Sequence, residues 1–188
     1  MIAENGDLVQ NPSMPDLSAA IAAYRAERDK PYRIPLVAGE ESFSCAGKHL
    51  RLKVALERGG WEVRNRIGRF KWSDVPLPAE VLKVPRQDKA THLFLEVKVH
   101  GQWQVVDASW DPGLASILPV ADWDGSRSVL IAVPCYVVMD VEEGEAYLQG
   151  LTADDATVDL RSSGAFYKAL NLYLERVRAE AGTEKTGP

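Results

Sequence analysis

Apolar residues recur at helical spacing in three stretches of the chain and at strand spacing in between. In "PDLSAAIAAYRAERDK" the positions Leu17, Ala20, Ile21 and Tyr24 fall on one face of a helix. Asp16 is placed to cap its start, and Lys30-Pro31 stops it. "SCAGKHLRLKVALERGG" predicts a second helix, with Ser44 or Ser42 supplying the cap oxygen and Gly59-Gly60 ending it. Gly47 in its first turn is a mild cost to that helix. "GAFYKALNLYLERVRAE" predicts a terminal helix with Phe166, Leu170, Tyr173 and Val177 on one face.

Between the helices the period changes. "WEVRNRIGRFKW" alternates partially, and its parity shifts at Gly68, which predicts a bulge there. "SDVPLPAEVLKVPRQDKA" contains three prolines and reads as a long connecting loop. "THLFLEVKVHGQWQVVDASWDP" reads as a β-hairpin turning at His100-Gly101, where glycine tolerates positive φ. "VLIAVPCYVVMD" is a β-branched run broken by Pro134. Helices first, then mostly antiparallel strands, then a helix, predict an α+β fold. Residues 1–15 read as a loose polar arm, 16–180 as one domain, and 181–188 as a tail.

The hairpin register carries chemistry. With that turn, Val99 faces Gln102, Phe94 faces Asp107, and His92 faces Ser109. His92 and Asp107 are then diagonal neighbours on one face, roughly 7 Å apart at the backbone. Leu93, Leu95, Val97 and Val99 share the other face with Val106 and Ala108, the natural core side. A His–Asp pair placed this way either stitches two strands or serves a reaction. Cys45 opens the second helix, where unpaired N–H groups stabilise an anion and lower a thiol pKa. Packing beside Leu52 and Leu56 is the plainer role for Cys45. Cys135 sits in an apolar run and reads as an inert packer. Taken together, Cys45, His92 and Asp107 make a nucleophile, a proton carrier and an orienting carboxylate.

Those segments, "SCAGKHLRLKVALERGGWEVRNRIGRF", "THLFLEV" and "GQWQVVDASWDP", resemble the core of the transglutaminase-like superfamily over about residues 42–112. The resemblance implies a papain-like fold, in which the helix bearing the cysteine packs on an antiparallel sheet. It implies Cys45 as nucleophile, His92 as base and Asp107 as orienter, attacking an amide or isopeptide bond through a thioester acyl-enzyme. Lys48-His49 departs from the small or apolar residues usual after the cysteine. For the oxyanion, Tyr32 is the nearest side-chain candidate, beside the backbone N–H of Cys45. His49, Trp103 and Trp110 are candidates for substrate contact, with burial the competing role for each. Trp123 stands beside them as a groove or core residue. Asp111 rivals Asp107, but the register prefers Asp107. Two other readings stay open: a binding module that kept the fold without activity, and an acyl transferase like the arylamine N-acetyltransferases.

Bulk properties narrow the partners. The formal net charge is −5 and the pI about 5.3, which argues against general nucleic-acid binding. The charge is uneven: eight Lys/Arg between Lys48 and Lys71 stand against Glu57 and Glu62. They are either a solvated face or a basic rim that attracts an acidic substrate. No apolar run approaches the roughly 20 residues of a membrane span. The N-terminus lacks the basic and hydrophobic regions of a secretory signal, and two cysteines make neither a disulfide framework nor a zinc site, so a cytoplasmic chain without a metal or other cofactor is expected. The expected partner is a peptide or protein amide, or a small acyl donor.

Overall fold

The computed structural model describes residues 15–184. Five helices and four strands fold as α+β, with helices at both ends of the described chain and an antiparallel sheet between them. Helix α1 covers Leu17–Arg28, and the Asp16 carboxylate accepts from Ser18 N–H and Ala19 N–H as the cap requires. Helix α2 covers Cys45–Arg58. Strands β1 (Val63–Lys71), β2 (Lys89–Val99), β3 (Gln102–Val106) and β4 (Val137–Val138) form one sheet in the order β3-β2-β1-β4. A short helix α3 (Ala79–Leu82) interrupts the connection between β1 and β2. Helices α4 (Val141–Gly150) and α5 (Ala153–Glu184) close the fold.

The hairpin forms in the expected register. Val99 faces Gln102 and Leu95 faces Val106, around a turn with positive φ at both His100 and Gly101. Strand β3 stops at Val106, so Asp107 leaves the ladder one residue beyond its last pair. Leu95, Val97, Val99, Val106 and Ala108 pack with Leu52 and Leu56 of α2 and Ala20 and Tyr24 of α1. Leu93 does not join them; it lies with Ile67 and Met139 under Tyr147 and Leu148 of α4.

Several expectations are corrected. No bulge occurs at Gly68, because β1 and β2 pair without a break from Val63–Val97 to Lys71–Lys89. The parity shift has another cause: this end of the sheet is covered on both sides. Ile67 packs under α4, while Phe70 joins Trp72, Leu114, Phe166 and Leu170. Neither serine caps α2 with its side chain; Ser42 Oγ instead accepts from Ser44 N–H. Gly47 is more than a cost, since a Cβ there would lie 2.0 Å from the Ser42 carbonyl oxygen. The run after Pro134 yields only the two-residue β4. The terminal helix starts at Ala153 and extends through residues 181–184, so those four residues are helical rather than tail. Helix α4 was not anticipated. The arm expected at 1–15 lies outside the described residues except for Pro15, as do residues 185–188. Among the described residues no helix is long and apolar enough to cross a membrane.

Candidate active site

Cys45 is the first residue of α2, and its first turn has no side-chain cap competing for the N–H groups. His92 lies near the middle of the β1–β2 ladder, facing Gly68. Asp107 follows β3. The structure brings the three together. His92 Nε2 bonds Asp107 Oδ2 at 2.7 Å, which leaves Nδ1 as the ring nitrogen for the Cys45 sulfur. His92 stacks on Phe94, and both are buried with Asp107.

The carboxylate of Asp107 is fully occupied. Oδ2 also accepts from Ala132 N–H at 2.8 Å, and Oδ1 accepts from Ser109 N–H and Ser109 Oγ. Burial alone would push its pKa up, but the His92 charge, its hydrogen bond, His49 and Ser109 pull it well below the usual carboxylate range. Burial opposes a charge on His92, yet Asp107 and the Cys45 sulfur raise its pKa to about 10. Burial pushes the Cys45 thiol up, but hydrogen bonding and charge from His92, with the Leu93 N–H, bring it below its ordinary value. The arrangement favours a thiolate–imidazolium pair.

His49 is a different kind of residue from the one expected. It is fully buried. Its Nε2 accepts from Ala108 N–H at 2.8 Å, so the ring proton sits on Nδ1, which donates to the Cys45 carbonyl at 2.7 Å. Burial pulls its pKa down to about 4, with Asp107 opposing. His49 therefore ties the start of α2 to the strand end that carries Asp107, and it does not face a substrate. Lys48 is likewise buried. Its ammonium donates to the carbonyls of Arg28, Lys30 and Ser109 at 2.8–2.9 Å, and burial lowers its pKa to about 8. Lys48 is thus not part of a solvated face or basic rim; its spacing from Cys45 and Leu52 puts it on their side of α2, a signal for burial that its charge masks.

A cavity of about 870 Å³ opens in front of Cys45. Tyr32, Trp72, Ala90, Thr91, Tyr147 and Tyr167 contribute to its wall. Tyr32 lies beside Cys45 there, and burial raises its phenol pKa. Asp111 holds Tyr32 in place. It accepts from Tyr32 N–H at 2.9 Å and from both Nε and Nη2 of Arg178, which also donates to the Tyr32 carbonyl. Asp111 is thus an anchor between the Tyr32 loop and α5, a role that needed Arg178 to be seen.

Trp103, Trp110 and Trp123 stay out of the cavity. Trp103 lies half-exposed near the hairpin turn, beneath Arg64 and Lys98. Trp110 is buried against Tyr32, ring centroids 4.5 Å apart, and donates to the Ala132 carbonyl. Trp123 is core and donates to Gln104. Cys135 is half-buried beside Gly68, and burial raises its thiol to about 11. Among the described residues, no three His, Cys, Asp or Glu side chains converge as metal ligands do. No family model, curated protein or solved structure matches this chain.

Proposed function

We propose that this chain is a cysteine enzyme of transglutaminase-like type, with a papain-like arrangement of helix and sheet, that transfers acyl groups through a thioester. One observation carries the reading: a thiol at a helix start is coupled to a His92–Asp107 pair bonded at 2.7 Å and lines an open cavity. A binding module that had lost its chemistry would have no need to keep the sulfur at a cavity wall.

In this reading the Cys45 thiolate attacks the carbonyl carbon of an amide. The electron pair of the C=O bond moves to oxygen, where the Cys45 N–H and the Tyr32 hydroxyl donate to it. Collapse re-forms the carbonyl and breaks the C–N bond, and the leaving amine takes the proton from His92 Nδ1. The thioester is then attacked by water or a second amine, which gives its proton to His92 as the C–S bond breaks. Asp107 holds the ring orientation and the positive charge throughout.

The test is acyl-enzyme capture. Glutamine, peptide and acyl-CoA donors are incubated with the chain and with Cys45→Ala. An adduct of the acyl mass on Cys45, absent from the variant, supports the reading. Adducts that map to Cys135 would sink it. Acetylation by acetyl-CoA alone would favour the small-donor transferase over the amidase.

A further inference from the structure

We propose that the cavity recognises a carboxylate on the acyl group it accepts, through Arg69 and Lys89 at the end of the β1–β2 ladder. The proposal rests on the acyl-transfer reading and names the class of its substrate.

Most of the positive charge between Lys48 and Lys71 is already engaged. Lys48 serves three carbonyls, Arg51 pairs with Glu27, Lys53 with Glu57, and Arg64 and Arg66 with Glu96. Arg69 is not engaged in that way. Its partner Glu143 is 3.4 Å away, and both side chains are about half exposed, a geometry that contributes little. Lys89 has no hydrogen-bond or ion-pair partner among the described residues. Both line the same cavity as Cys45.

The register places them together. Arg69 faces Thr91, so Lys89 is its diagonal neighbour on the same face, roughly 7 Å away at the backbone. Lys71 faces Lys89 directly, and like charges in that position repel. An anion between the strands would relieve that repulsion.

Of the acidic residues of the cavity, only Glu40 is paired with a cation, and none of the three pairs with Arg69 or Lys89. Glu40 binds Arg33 and accepts from Leu36 N–H. Asp155 accepts from the backbone and hydroxyl of Thr152. Asp159 accepts from the Tyr167 hydroxyl. Both aspartates keep their charge, and Arg69 and Lys89 stand apart from them as the cations open to a ligand's anion. Beside it, Thr91 Oγ1 and Tyr147 Oη hydrogen-bond to each other at 3.2 Å and offer hydroxyl groups to the same ligand. Lys89 precedes His92 by three residues on β2, roughly 10 Å along the strand. The two side chains leave opposite faces of β2, so the link between the thioester and the anion runs through the cavity that both Cys45 and Lys89 line, a path for a short dicarboxylic acyl chain.

The experiment compares two alkylating agents of similar size on the full chain. Iodoacetate carries the carboxylate and iodoacetamide does not. The rate at Cys45 is followed by peptide mass for the parent, for R69Q, for K89Q and for the double variant. The ratio of the two rates cancels any common change in thiolate reactivity. The expected result is a fall in the iodoacetate-to-iodoacetamide ratio of about 3- to 10-fold in the double variant, with smaller falls in the singles, as the loss of two nearby charges predicts. Glutarate should protect Cys45 from iodoacetamide in the parent and lose that effect in the variants. An unchanged ratio, with Cys45 still alkylated, overturns the anion subsite and leaves the nucleophile standing. Protection by inorganic phosphate without protection by glutarate overturns the carboxylate assignment. A folded parent whose Cys45 resists both reagents overturns the acyl-transfer reading itself, and the subsite with it.

Discussion

His49 and His92 stand edge to face with ring centroids 6.2 Å apart beside one carboxylate, and their pKa values are shifted in opposite directions, down for His49 and up for His92. The cause is the partner each nitrogen meets. His92 gives a proton to Asp107 and faces a sulfur that becomes negative, so its charge is favoured. His49 accepts a backbone N–H at Nε2, and a second proton there would displace that bond. Two buried imidazolium ions so close would also repel. Burial disfavours charge on both rings; Asp107 and the Cys45 sulfur overcome it at His92, and nothing overcomes it at His49.

That contrast predicts an acid-sensitive step in stability. Folded His49 titrates near 4, against an ordinary 6.5 in the unfolded chain. As pH falls from 6.5 towards 4, the unfolded state binds the proton first, so stability is lost across that window. The loss amounts to about 3 kcal/mol at its acid end. Urea midpoints measured at pH 7 and pH 4.5 should differ more in the parent than in His49→Gln. An equal pH response in the two proteins would place the strut elsewhere.

The thiolate–imidazolium pair predicts a shape for the alkylation profile. Cys45 ionises below the ordinary 9.0 of a thiol because His92 supplies positive charge and a hydrogen bond against the cost of burial. Iodoacetamide should therefore label Cys45 with a limb below pH 9. In His92→Asn the charge is gone while burial remains, so the limb moves above its parent position. The rate at pH 7 then falls about tenfold to a hundredfold. Cys135, held near 11 by burial, should stay slow in both proteins.

Arg178 and Asp111 supply the third prediction. Asp111 is almost fully buried and takes two hydrogen bonds from the guanidinium, at 3.0 and 2.7 Å. Removal of the arginine leaves a buried carboxylate with only the Tyr32 N–H directly bonded. Arg178→Ala should cost about 3 kcal/mol, or roughly 6–12 °C in Tm for a chain of this size. The double variant Arg178→Ala/Asp111→Ala should be more stable than the sum of the two single losses. Strict additivity in that cycle would mean that the two side chains act independently.

What the sequence disclosed follows from where its signals are local. The hairpin was legible because His100-Gly101 defines a turn, and a turn defines every pair along the ladder. Helices α1 and α2 were legible from periodicity and caps. Lys48 and His49 were legible only as an anomaly beside Cys45. Their partners, the Ser109 carbonyl and the Ala108 N–H, lie about sixty residues away in the chain. Asp111 likewise waited for Arg178, which approaches it from the far end of α5. Helix α4, "VEEGEAYLQG", carries few apolar residues and buries little of itself, so its period is faint. Yet Tyr147 from that helix completes the cavity wall. The cavity is assembled from segments distant in sequence, and no single stretch announces it.

Gly68 shows how a misread glycine becomes a test of the site. Its residue type marks a close approach rather than a bulge. A Cβ placed there would lie 2.3 Å from Cys135 Sγ and 3.1 Å from Cys135 Cβ. Gly68 also faces His92 across the ladder, so a displaced Cys135 presses on the strand that carries His92. Gly68→Ala should cost about 1–3 kcal/mol by overpacking and slow alkylation of Cys45. Cys135→Ala removes the sulfur and leaves only the milder Cβ contact. The pair Gly68→Ala/Cys135→Ala should then recover most of the stability and of the Cys45 rate lost by Gly68→Ala alone. Thermal melts and alkylation rates for the four proteins of this cycle are the measurement. If removing the Cys135 sulfur restores neither quantity, the cost of a side chain at Gly68 arises in the β1–β2 ladder itself and not at Cys135.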